Sequence, residues 1–430
     1  MMTVTRHRVD ILVAVVLFIL INTLLARFQQ PVSYHNGLGW DGVHYAKVTQ
    51  DFRDGNTPAA EQPFVNRIAV PYLASLFESD IVTSWRLLGL TANALSLILL
   101  YVLLCLHFRQ QWLRFLLLAL FIIPNFSVVR RLWYDPVSTD QWDKVFLFAG
   151  FIILDRLKTK GWRPVLAVSL SAVALIGVLF REIVIILPLA ALLVTNPVDF
   201  DPSRLRIRNV SLPPIISAMP FLGAMAGFCI VKSIVTPADG DYSIYLQSLH
   251  LLYNKSLPDY MLGWFIAFGP LLIFPLYEWR TSAKFLACNQ HIFVYLTAFA
   301  LLGWIGGTAT YRLVQWTMPA VFILIGHSLE FCAPAVKRNW LFITALVASF
   351  LLSQRVFWLW PDYPGGISTY YVFLTPLSAN PPVLDTIGMG SLYVRVVSLA
   401  SHLVISAVLL LLLNPPTITI KKKIVTKQGI

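Results

Sequence analysis

The sequence predicts an all-α polytopic membrane protein with about 12 transmembrane helices, within a range of 10–13. Of its 430 residues, 57% are hydrophobic and only 13% are charged, which is too apolar for a soluble globular protein. Apolar segments near the roughly 20 residues that a helix needs to cross a bilayer recur along the chain. Because no long soluble segment, internal repeat or linker interrupts them, we expect one transmembrane domain over residues 1–430.

The range in the number of spans reflects several short apolar segments, which could tilt, merge or re-enter the membrane. The predicted spans are Val9–Phe28, Trp85–Leu106, Leu113–Phe126, Gln141–Leu154, Val165–Phe180, Ile183–Thr195, Ser211–Val235, Met261–Tyr277, Ile292–Gly307, Leu313–Leu329, Trp340–Trp358 and Ser391–Leu413.

The net charge of +12 is distributed in alternate connecting segments, which excludes nucleic acid as its explanation. With the N-terminus inside, most Lys and Arg fall in inner segments and most Asp and Glu in outer ones, as the positive-inside rule requires. We therefore expect both termini, including the basic tail 414–430, in the cytoplasm and facing anionic membrane lipids. Arg6 and Arg8 before the first apolar run indicate an uncleaved signal anchor.

Cysteine usage indicates neither a disulfide framework nor a metal site. The chain has four cysteines, and all fall in predicted spans or inner loops: Cys105, Cys229, Cys288 and Cys332. Without a C-x-x-C motif or a Cys/His cluster, no metal or other cofactor is predicted. A divalent ion held by the oxygen ligands of Asp135, Asp140 and Asp143 is the alternative left open.

The first outer loop, residues 29–84, is too polar to cross a membrane and too patterned for a linker. One apolar row recurs at steps of four: Phe64, Ile68, Tyr72 and Leu76. This row predicts a helix lying in the membrane interface, kinked by Pro71 or carrying Pro71 in its first turn, with Arg67 off the apolar face and touching lipid headgroups. A shorter helix from Val43 would hold Asp41 at the lipid–water boundary.

The unusual polar residues all fall in outer segments, so we expect function on the outer face. These candidates are Asp41, His44, Arg67, Asp135, Arg181, Glu182 and Arg312. Asp135 is held extended because Pro136 follows it. Arg181 and Arg312 each open a predicted span at its outer end. A second outer loop, 359–390, is rich in aromatic residues, proline and glycine.

Four segments together resemble the GT-C superfamily of bacterial membrane glycosyltransferases. They are WDGVHY with NRIAVPYLA, YDPVSTDQWDKVFLF, FREIVIILPLA, and TATYRLVQWTMPAVFIL, which cover most of residues 1–330 in the family's order. The matching positions are Asp41, Arg67, Pro71, Leu73, Ala74, Arg181, Glu182, Pro188, Arg312 and Pro319. The chain differs from many members in two places. It has one acid in the first loop, Asp41, where they have two, and it has Ala309 and Thr310 where an acid often precedes the later arginine.

The resemblance implies a GT-C-like fold in the bacterial inner membrane and an enzyme of cell-envelope polysaccharide synthesis. It implies inverting transfer of a sugar from a polyprenyl-phosphate donor to a glycan, lipid or protein acceptor on the outer face. For that chemistry Asp41 is the candidate base, and Arg181 and Arg312 are candidates for holding the phosphate. Asp135, Glu182, His44 and Arg67 are expected to support substrate binding.

Each assignment has a structural alternative. Asp41 is also a good N-cap for the helix from Val43. Asp140 and Asp143 suit the first turn of a helix, where acids favour the helix dipole. Arg181 is also placed to pair with Glu182, or with an acid of the segment 135–143, and a span-end arginine such as Arg312 can extend to headgroups.

Two other functions stay open for the whole chain. A transporter or flippase of a lipid-linked or amphipathic solute is the first, although charges sit at span ends rather than in mid-membrane. The second is a non-catalytic GT-C relative, which the lone Asp41 would suit.

Overall fold

The computed structural model describes residues 2–124, 126–196, 198–201, 206–237, 244–307, 309–336, 339–354, 356 and 392–413. The second outer loop, 359–390, and the basic tail, 414–430, lie outside the described residues, so the predictions made for them are not addressed by the fold.

The described part of the chain is dominated by helices. Its α-helices are α1 Met2–Phe28, α2 Gly42–Arg53, α3 Ala69–Ser75, α4 Ile81–His107, α5 Gln111–Ile122, α6 Val128–Tyr134, α7 Asp140–Lys160, α8 Pro164–Phe180, α9 Ile186–Ala191, α10 Met219–Ile234, α11 Ile244–Asn254, α12 Leu257–Phe268, α13 Ile273–Tyr277, α14 Trp279–Cys288, α15 Gln290–Ile305, α16 Thr310–Val314, α17 Met318–Val336, α18 Trp340–Ser353 and α19 Leu392–Leu413. Short 3₁₀ helices cover Phe64–Asn66, Glu182–Ile185, Ile215–Ala218, Gly269–Leu272 and Gln315–Thr317.

Four short strands are the exception to the predicted all-α class. The strands are β1 Ala59–Ala60, β2 Val198–Asp201, β3 Arg206–Val210 and β4 Thr236–Pro237. β1 pairs in parallel with β4, and β2 pairs antiparallel with β3. The second pair lies in a segment that the sequence predicts to be a plain basic connector, while the all-α prediction holds for the rest of the described chain.

Among the described residues, five helical segments are long and apolar enough to cross a membrane, which supports a multi-pass membrane protein. They are Ile11–Phe28, Ile81–His107, Ile215–Ile234, Leu257–Tyr277 and Val396–Leu413. α14 and α15 would add a sixth if they formed one span, but they meet at an angle of 112°. The predicted number of twelve therefore stays a prediction, because several of the other predicted spans consist of shorter helices and the 21-residue α7 carries charged residues at both ends.

Proline accounts for one of these interruptions. The predicted span Leu313–Leu329 is divided into α16, a 3₁₀ turn and α17, and Pro319 is the second residue of α17. Proline has no N–H to donate and is favoured in the first turn of a helix, so a helix start fits this position better than a helix interior. The break leaves Arg312 on a short helix of its own at the edge of the bundle.

The predicted interfacial helix of the first loop is not continuous. A 3₁₀ turn ends at Asn66, and Arg67 has non-helical backbone angles of φ −102° and ψ 68° before α3 begins. Pro71 lies in the first turn of α3, the second of the two positions that the sequence allows. The break turns Arg67 into the protein, where it contacts Glu182 across 115 residues of sequence.

Helix α7 runs through the middle of the bundle. Its buried residues Phe148, Phe151 and Leu154 belong to the main hydrophobic core, together with side chains of α4, α15 and α17. One end of α7 carries Asp140 and the other carries Asp155, whose Oδ2 lies 2.7 Å from Nε2 of His107. We call these two ends of the bundle the Asp41 end and the His107 end, after the residues gathered there.

Candidate functional site

Eight charged side chains meet at the Asp41 end in one ion-pair network, which we call the Asp140 network. Its members are Asp41, Asp135, Asp140, Asp143, Arg131, Lys144, Arg181 and Arg312. They come from the first loop, α6 and the residue after it, α7, α16 and the residue that follows α8. Among the described residues, the network therefore joins most of the polar segments that the sequence places on the outer face.

Asp140 is the centre of the network because three guanidinium groups bind its one carboxylate. Arg131 Nη1 donates to Oδ2 at 2.5 Å, Arg312 Nε donates to Oδ2 at 3.0 Å, and Arg181 Nη1 donates to Oδ1. The residue is 6% exposed. A buried carboxylate in such surroundings is held by charge-assisted hydrogen bonds on both oxygens.

Asp41 and Arg312 are the members of the network that a ligand can reach. Arg312 Nη2 donates to Asp41 Oδ2 at 3.1 Å, and the side chains are 21% and 29% exposed for Arg312 and Asp41 respectively. The other members are less than a tenth exposed. Asp41 precedes α2 but makes no side-chain capping hydrogen bond, so its carboxylate faces Arg312 rather than the helix end.

The pKa of Asp41 lies below its ordinary value. Burial alone would raise it, but the positive charges of Arg312, Arg131 and Arg67 outweigh burial and the nearby Asp140. Asp41 is therefore ionised at neutral pH. A carboxylate that acts as a general base is expected to have a raised pKa. The lowered pKa therefore makes Asp41 a weaker base.

The pKa of Asp135 is shifted in the opposite direction, above its ordinary value. Its Oδ2 accepts a hydrogen bond of 2.8 Å from Arg131, while its buried Oδ1 has no partner. Burial raises the pKa of Asp135 in spite of Arg131. Oδ1 lies beside Gly39, where an added Cβ would be 2.7 Å away. Gly39 thus allows the loop carrying Asp41 to lie directly on Asp135.

Arg181 is held on the protein side of the network. Besides Asp140, it lies 3.3 Å from Asp143, and its guanidinium stacks 4.9 Å from the ring centroid of Trp316. Asp143 also accepts from Lys144 and from Trp316 Nε1, each at 2.8 Å. Arg181 therefore takes the structural alternative that its sequence allowed, pairing with acids of the segment 135–143.

Arg67 and Glu182 form a second ion pair beside the network. Arg67 is 6% exposed and donates to both carboxylate oxygens of Glu182 and to Tyr45 Oη. Tyr45 Oη lies 3.3 Å from Thr139 Oγ1, next to Asp140. The expected contact of Arg67 with headgroups is thus replaced by an ion pair in which Arg67 is buried, and Glu182 pairs with Arg67 rather than with Arg181.

His44 lies apart from the charged network. Its ring stacks on Phe64 with a centroid distance of 4.6 Å, and Nε2 is 4.0 Å from Glu61. The side chain is partly exposed on the same loop as Asp41. Of the seven residues singled out from the sequence, the structure joins Asp41, Asp135, Arg181 and Arg312 directly, places the Arg67–Glu182 pair next to them, and leaves out His44.

Five contributors lie outside the residues that the sequence predicts for the site: Arg131, Asp140, Asp143, Lys144 and Trp316. For Asp140 and Asp143 the sequence offers a metal-binding or a helix-dipole role instead. A signal for some of them was present, since Arg131 and Asp135 have the i,i+4 spacing of a helical ion pair. Buried Lys144 next to Asp143, in a segment leading into a span, is a second signal. No sequence pattern links Trp316 to Asp143, which is 173 residues away.

An apolar groove of about 740 Å³ lies between α12, α13, α15 and α17. Trp264, Leu296, Trp304 and Leu324 are among its lining residues. α12 joins this groove to the charged network, because its Gly263 packs against Thr310 of α16, the helix that carries Arg312. In the part of the chain that the structure describes, no three His, Cys, Asp or Glu side chains are arranged to hold a metal ion.

No protein-family model, curated protein or solved structure matches the chain.

Proposed function

We propose that the chain is an integral-membrane glycosyltransferase that moves a sugar from a polyprenyl-phosphate donor to an acceptor hydroxyl, with inversion. The proposal places the reaction at the Asp41 end of the bundle, on the outer side of a bacterial inner membrane. Transfer to a glycan, lipid or protein acceptor of the cell envelope is equally compatible with this chemistry.

The observation that supports it best is the accessible Asp41–Arg312 pair above a buried, charge-balanced network. Transfer from a phosphate-linked donor needs a base for the acceptor and a cation for the leaving phosphate. A carboxylate and a guanidinium 3.1 Å apart supply both groups. The buried ion pairs behind them fix their positions, which catalysis requires of its charged groups.

In the proposed reaction, Asp41 takes the proton of the acceptor hydroxyl as the oxygen attacks the anomeric carbon. The bond from that carbon to the phosphate oxygen breaks on the opposite side, and its electron pair stays on the phosphate. Arg312 neutralises the charge that develops there through charge-assisted hydrogen bonds. Attack from the side opposite to the leaving group inverts the anomeric configuration.

The Asp41–Arg312 contact also links donor binding to base strength. A donor phosphate competes with Asp41 for Arg312, because the guanidinium is the accessible cation of the pair. When Arg312 turns to the phosphate, Asp41 loses the positive charge that contributes most to its lowered pKa. Asp41 then becomes a stronger base in the complex in which a proton must be removed.

The groove between α12 and α15 suits the prenyl chain of the donor. Its lining is almost wholly apolar, and its volume of about 740 Å³ falls within the range of ligand pockets. Thr310, packed on Gly263 of α12, is two residues from Arg312. In the proposal, the prenyl chain in the groove runs along α12 so that its phosphate reaches the accessible guanidinium of Arg312.

The core of the bundle favours transfer at one end over ion-coupled transport. Asp143 and Asp155 lie twelve residue steps apart along α7, about 18 Å at the rise of an α-helix. Phe148, Phe151 and Leu154 within this stretch are fully buried. A coupled transporter instead places ionisable residues along its pathway through the membrane.

The test is a transfer assay on the full chain in nanodiscs. Polyprenyl-phosphate hexoses and pentoses with radiolabelled sugars are the donors, a cell-envelope extract supplies acceptors, and released polyprenyl phosphate is quantified. We expect release by the wild type and a loss of at least 100-fold in Asp41→Asn, in line with removal of a general base. Asp54→Asn, at an exposed acid of the same loop, is the matched control and should retain full activity.

Thermal unfolding of each variant in detergent accompanies the assay, so that loss of activity is separated from loss of fold. Wild-type transfer by a folded Asp41→Asn variant would overturn Asp41 as the base. Solute flux into proteoliposomes without any transfer product would replace the proposal with a transporter.

A further inference from the structure

Next to Asp41 the structure gathers several aromatic rings in one tight turn. Tyr34 and His35 have ring centroids 4.0 Å apart, and Tyr34 lies 5.8 Å from Trp40. Trp40 in turn lies 6.4 Å from Tyr134, which is fully buried. We call Tyr34, His35 and Trp40 the aromatic platform. Its last ring belongs to the residue immediately before Asp41.

The backbone fixes this platform in place. His35, Asn36, Gly37 and Gly39 all have positive φ angles, so the turn follows a path that few residues adopt. Backbone N–H groups of Leu38 and Gly39 donate to the carbonyls of His35 and Tyr34. Val32 N–H donates to the carbonyl of Tyr134 at 2.8 Å, which ties the turn to the end of α6. The rings are thus presented on a braced loop.

The exposure of Trp40 differs from that of tryptophans on the outside of the bundle. Trp279 is 60% exposed and Trp340 is 74% exposed, as expected of side chains that face lipid or headgroups. Trp40 is 36% exposed, and its ring contacts other aromatic rings of the protein. Part of its surface is therefore covered by the chain, and the rest is open on the residue immediately before Asp41.

A sugar ring has the chemistry that matches such a surface. One face of a pyranose or furanose presents C–H groups, which carry a small positive charge and favour the negative face of an aromatic ring. Its hydroxyl groups need polar partners at the edge of that ring. Asp41 and His35, whose Nδ1 lies 3.3 Å from the Gly39 carbonyl oxygen, carry polar atoms on the same turn as Trp40.

We propose that the aromatic platform is a carbohydrate subsite in which Trp40 stacks on a neutral sugar ring and positions its hydroxyls towards Asp41. The inference rests on the proposed function because it assigns the bound sugar ring to the donor or the acceptor of the transfer. The binding chemistry is the same for both. A sugar seated on Trp40 has the carboxylate of the next residue in the chain, Asp41, as a neighbour capable of removing a proton.

Direct sugar binding tests the platform without any transfer. The full chain in nanodiscs is mixed with methyl α- and β-pyranosides of glucose, galactose and mannose and with methyl arabinofuranosides, and contacts are read by saturation-transfer NMR. We expect a signal from the C–H face of at least one glycoside. In Trp40→Leu, which keeps an apolar contact with Tyr134 but has no aromatic face, affinity should fall at least tenfold.

Two further variants interpret that result. Trp40→Phe keeps an aromatic face and should stay within about threefold of the wild type, a difference of about 0.7 kcal/mol. Trp279→Ala, at an exposed tryptophan of α14, should bind as the wild type does. Equal binding by Trp40→Leu and the wild type would overturn the platform. So would the absence of any glycoside signal from folded wild-type protein.

The transfer assay separates the two proposals and the two sources of the sugar. If Trp40→Leu raises KM for the donor at unchanged acceptor KM, the donor sugar occupies the platform, and the reverse result places the acceptor there. Glycoside binding that needs Trp40 but comes without any transfer would retain the platform and remove the glycosyltransferase. Transfer with both KM values unchanged in Trp40→Leu would retain the glycosyltransferase and overturn the platform.

Discussion

Arg312 Nη2 donates a hydrogen bond to Asp41 Oδ2 at 3.1 Å, joining two residues that lie 271 positions apart in the sequence. The same guanidinium reaches Asp140 through Nε at 3.0 Å. Arg312 thereby connects the first loop to α7 through one planar group. Since arginine offers donors on several edges at once, a lysine could not make both contacts with the same geometry.

Arg312→Gln should shift the pH dependence of transfer. The positive charge of Arg312 lowers the pKa of Asp41, so its removal raises that pKa. The acidic limb of the pH–rate profile should then move to higher pH, and the donor KM should rise at least tenfold because the phosphate loses its cation. Arg280→Gln, which removes an arginine of α14, should leave both quantities unchanged. An acidic limb that stays in place in folded Arg312→Gln would contradict the link between Arg312 and the base.

Lys144→Met should destabilise the fold strongly. Lys144 and Asp143 are 1% and 0% exposed, and their side chains pair at 2.8 Å. Without Lys144, the buried Asp143 retains Arg181 at 3.3 Å and the Trp316 N–H as partners. Removing one partner of a buried ion pair costs up to about 3–5 kcal/mol. Thermal unfolding in detergent is the measurement, with Lys284→Met at an exposed lysine as the control. Unfolding temperatures that match between the two variants would show that Lys144 is not a structural counter-ion.

Gly39→Ala should be more harmful than Gly55→Ala. Both glycines have positive φ angles, of 73° and 70°, so each substitution carries a similar backbone strain of roughly 1–2 kcal/mol. A Cβ at residue 55 meets nothing within 4 Å, whereas a Cβ at residue 39 lies 2.7 Å from Asp135 Oδ1. The excess loss of stability and of transfer in Gly39→Ala measures the contact between the loop and Asp135. Equal effects of the two substitutions would mean that this contact is loose.

The Arg67–Glu182 pair should make stability depend on acid. The pKa of Glu182 is about 2 in the folded chain against an ordinary 4.5, because Arg67 outweighs the effect of burial. A depressed folded pKa gives a contribution that is present above 4.5 and is lost as the pH falls towards 2. The difference in unfolding temperature between the wild type and Glu182→Gln should shrink over that range. A difference independent of pH would argue against an ionised pair.

The sequence was most informative where a chemical requirement restricted the position of a residue. The charge asymmetry and the apolar runs predicted a helical membrane chain, and the described helices agree with this class. The acid of the first loop and the arginine that opens α16 were both expected at one face, and the structure places them in contact. The number of spans is harder to predict from the sequence, because short helices such as α9 and α16 interrupt apolar runs that look continuous.

Other contacts of the site could not be predicted from the sequence, because each residue also fits a local structural role that needs no distant partner. Asp140 at the start of α7 fits a helix-dipole role equally well, and its three arginine partners come from separate elements. Arg67 was expected at headgroups because its partner Glu182 is 115 residues away. A lone histidine such as His44 carries no spacing that distinguishes a stacking contact from a catalytic one.

The position of a lipid phosphate tests the central claim most directly. A cryo-EM structure of the full chain in nanodiscs with added undecaprenyl phosphate, bound to an antibody fragment for size, would give that position. We predict phosphate oxygens within 2.7–3.2 Å of Arg312 nitrogens, with Asp41 released from its contact and facing the ligand. A phosphate bound at the His107 end, or an Asp41–Arg312 pair left intact beneath a phosphate bound elsewhere, would contradict the account.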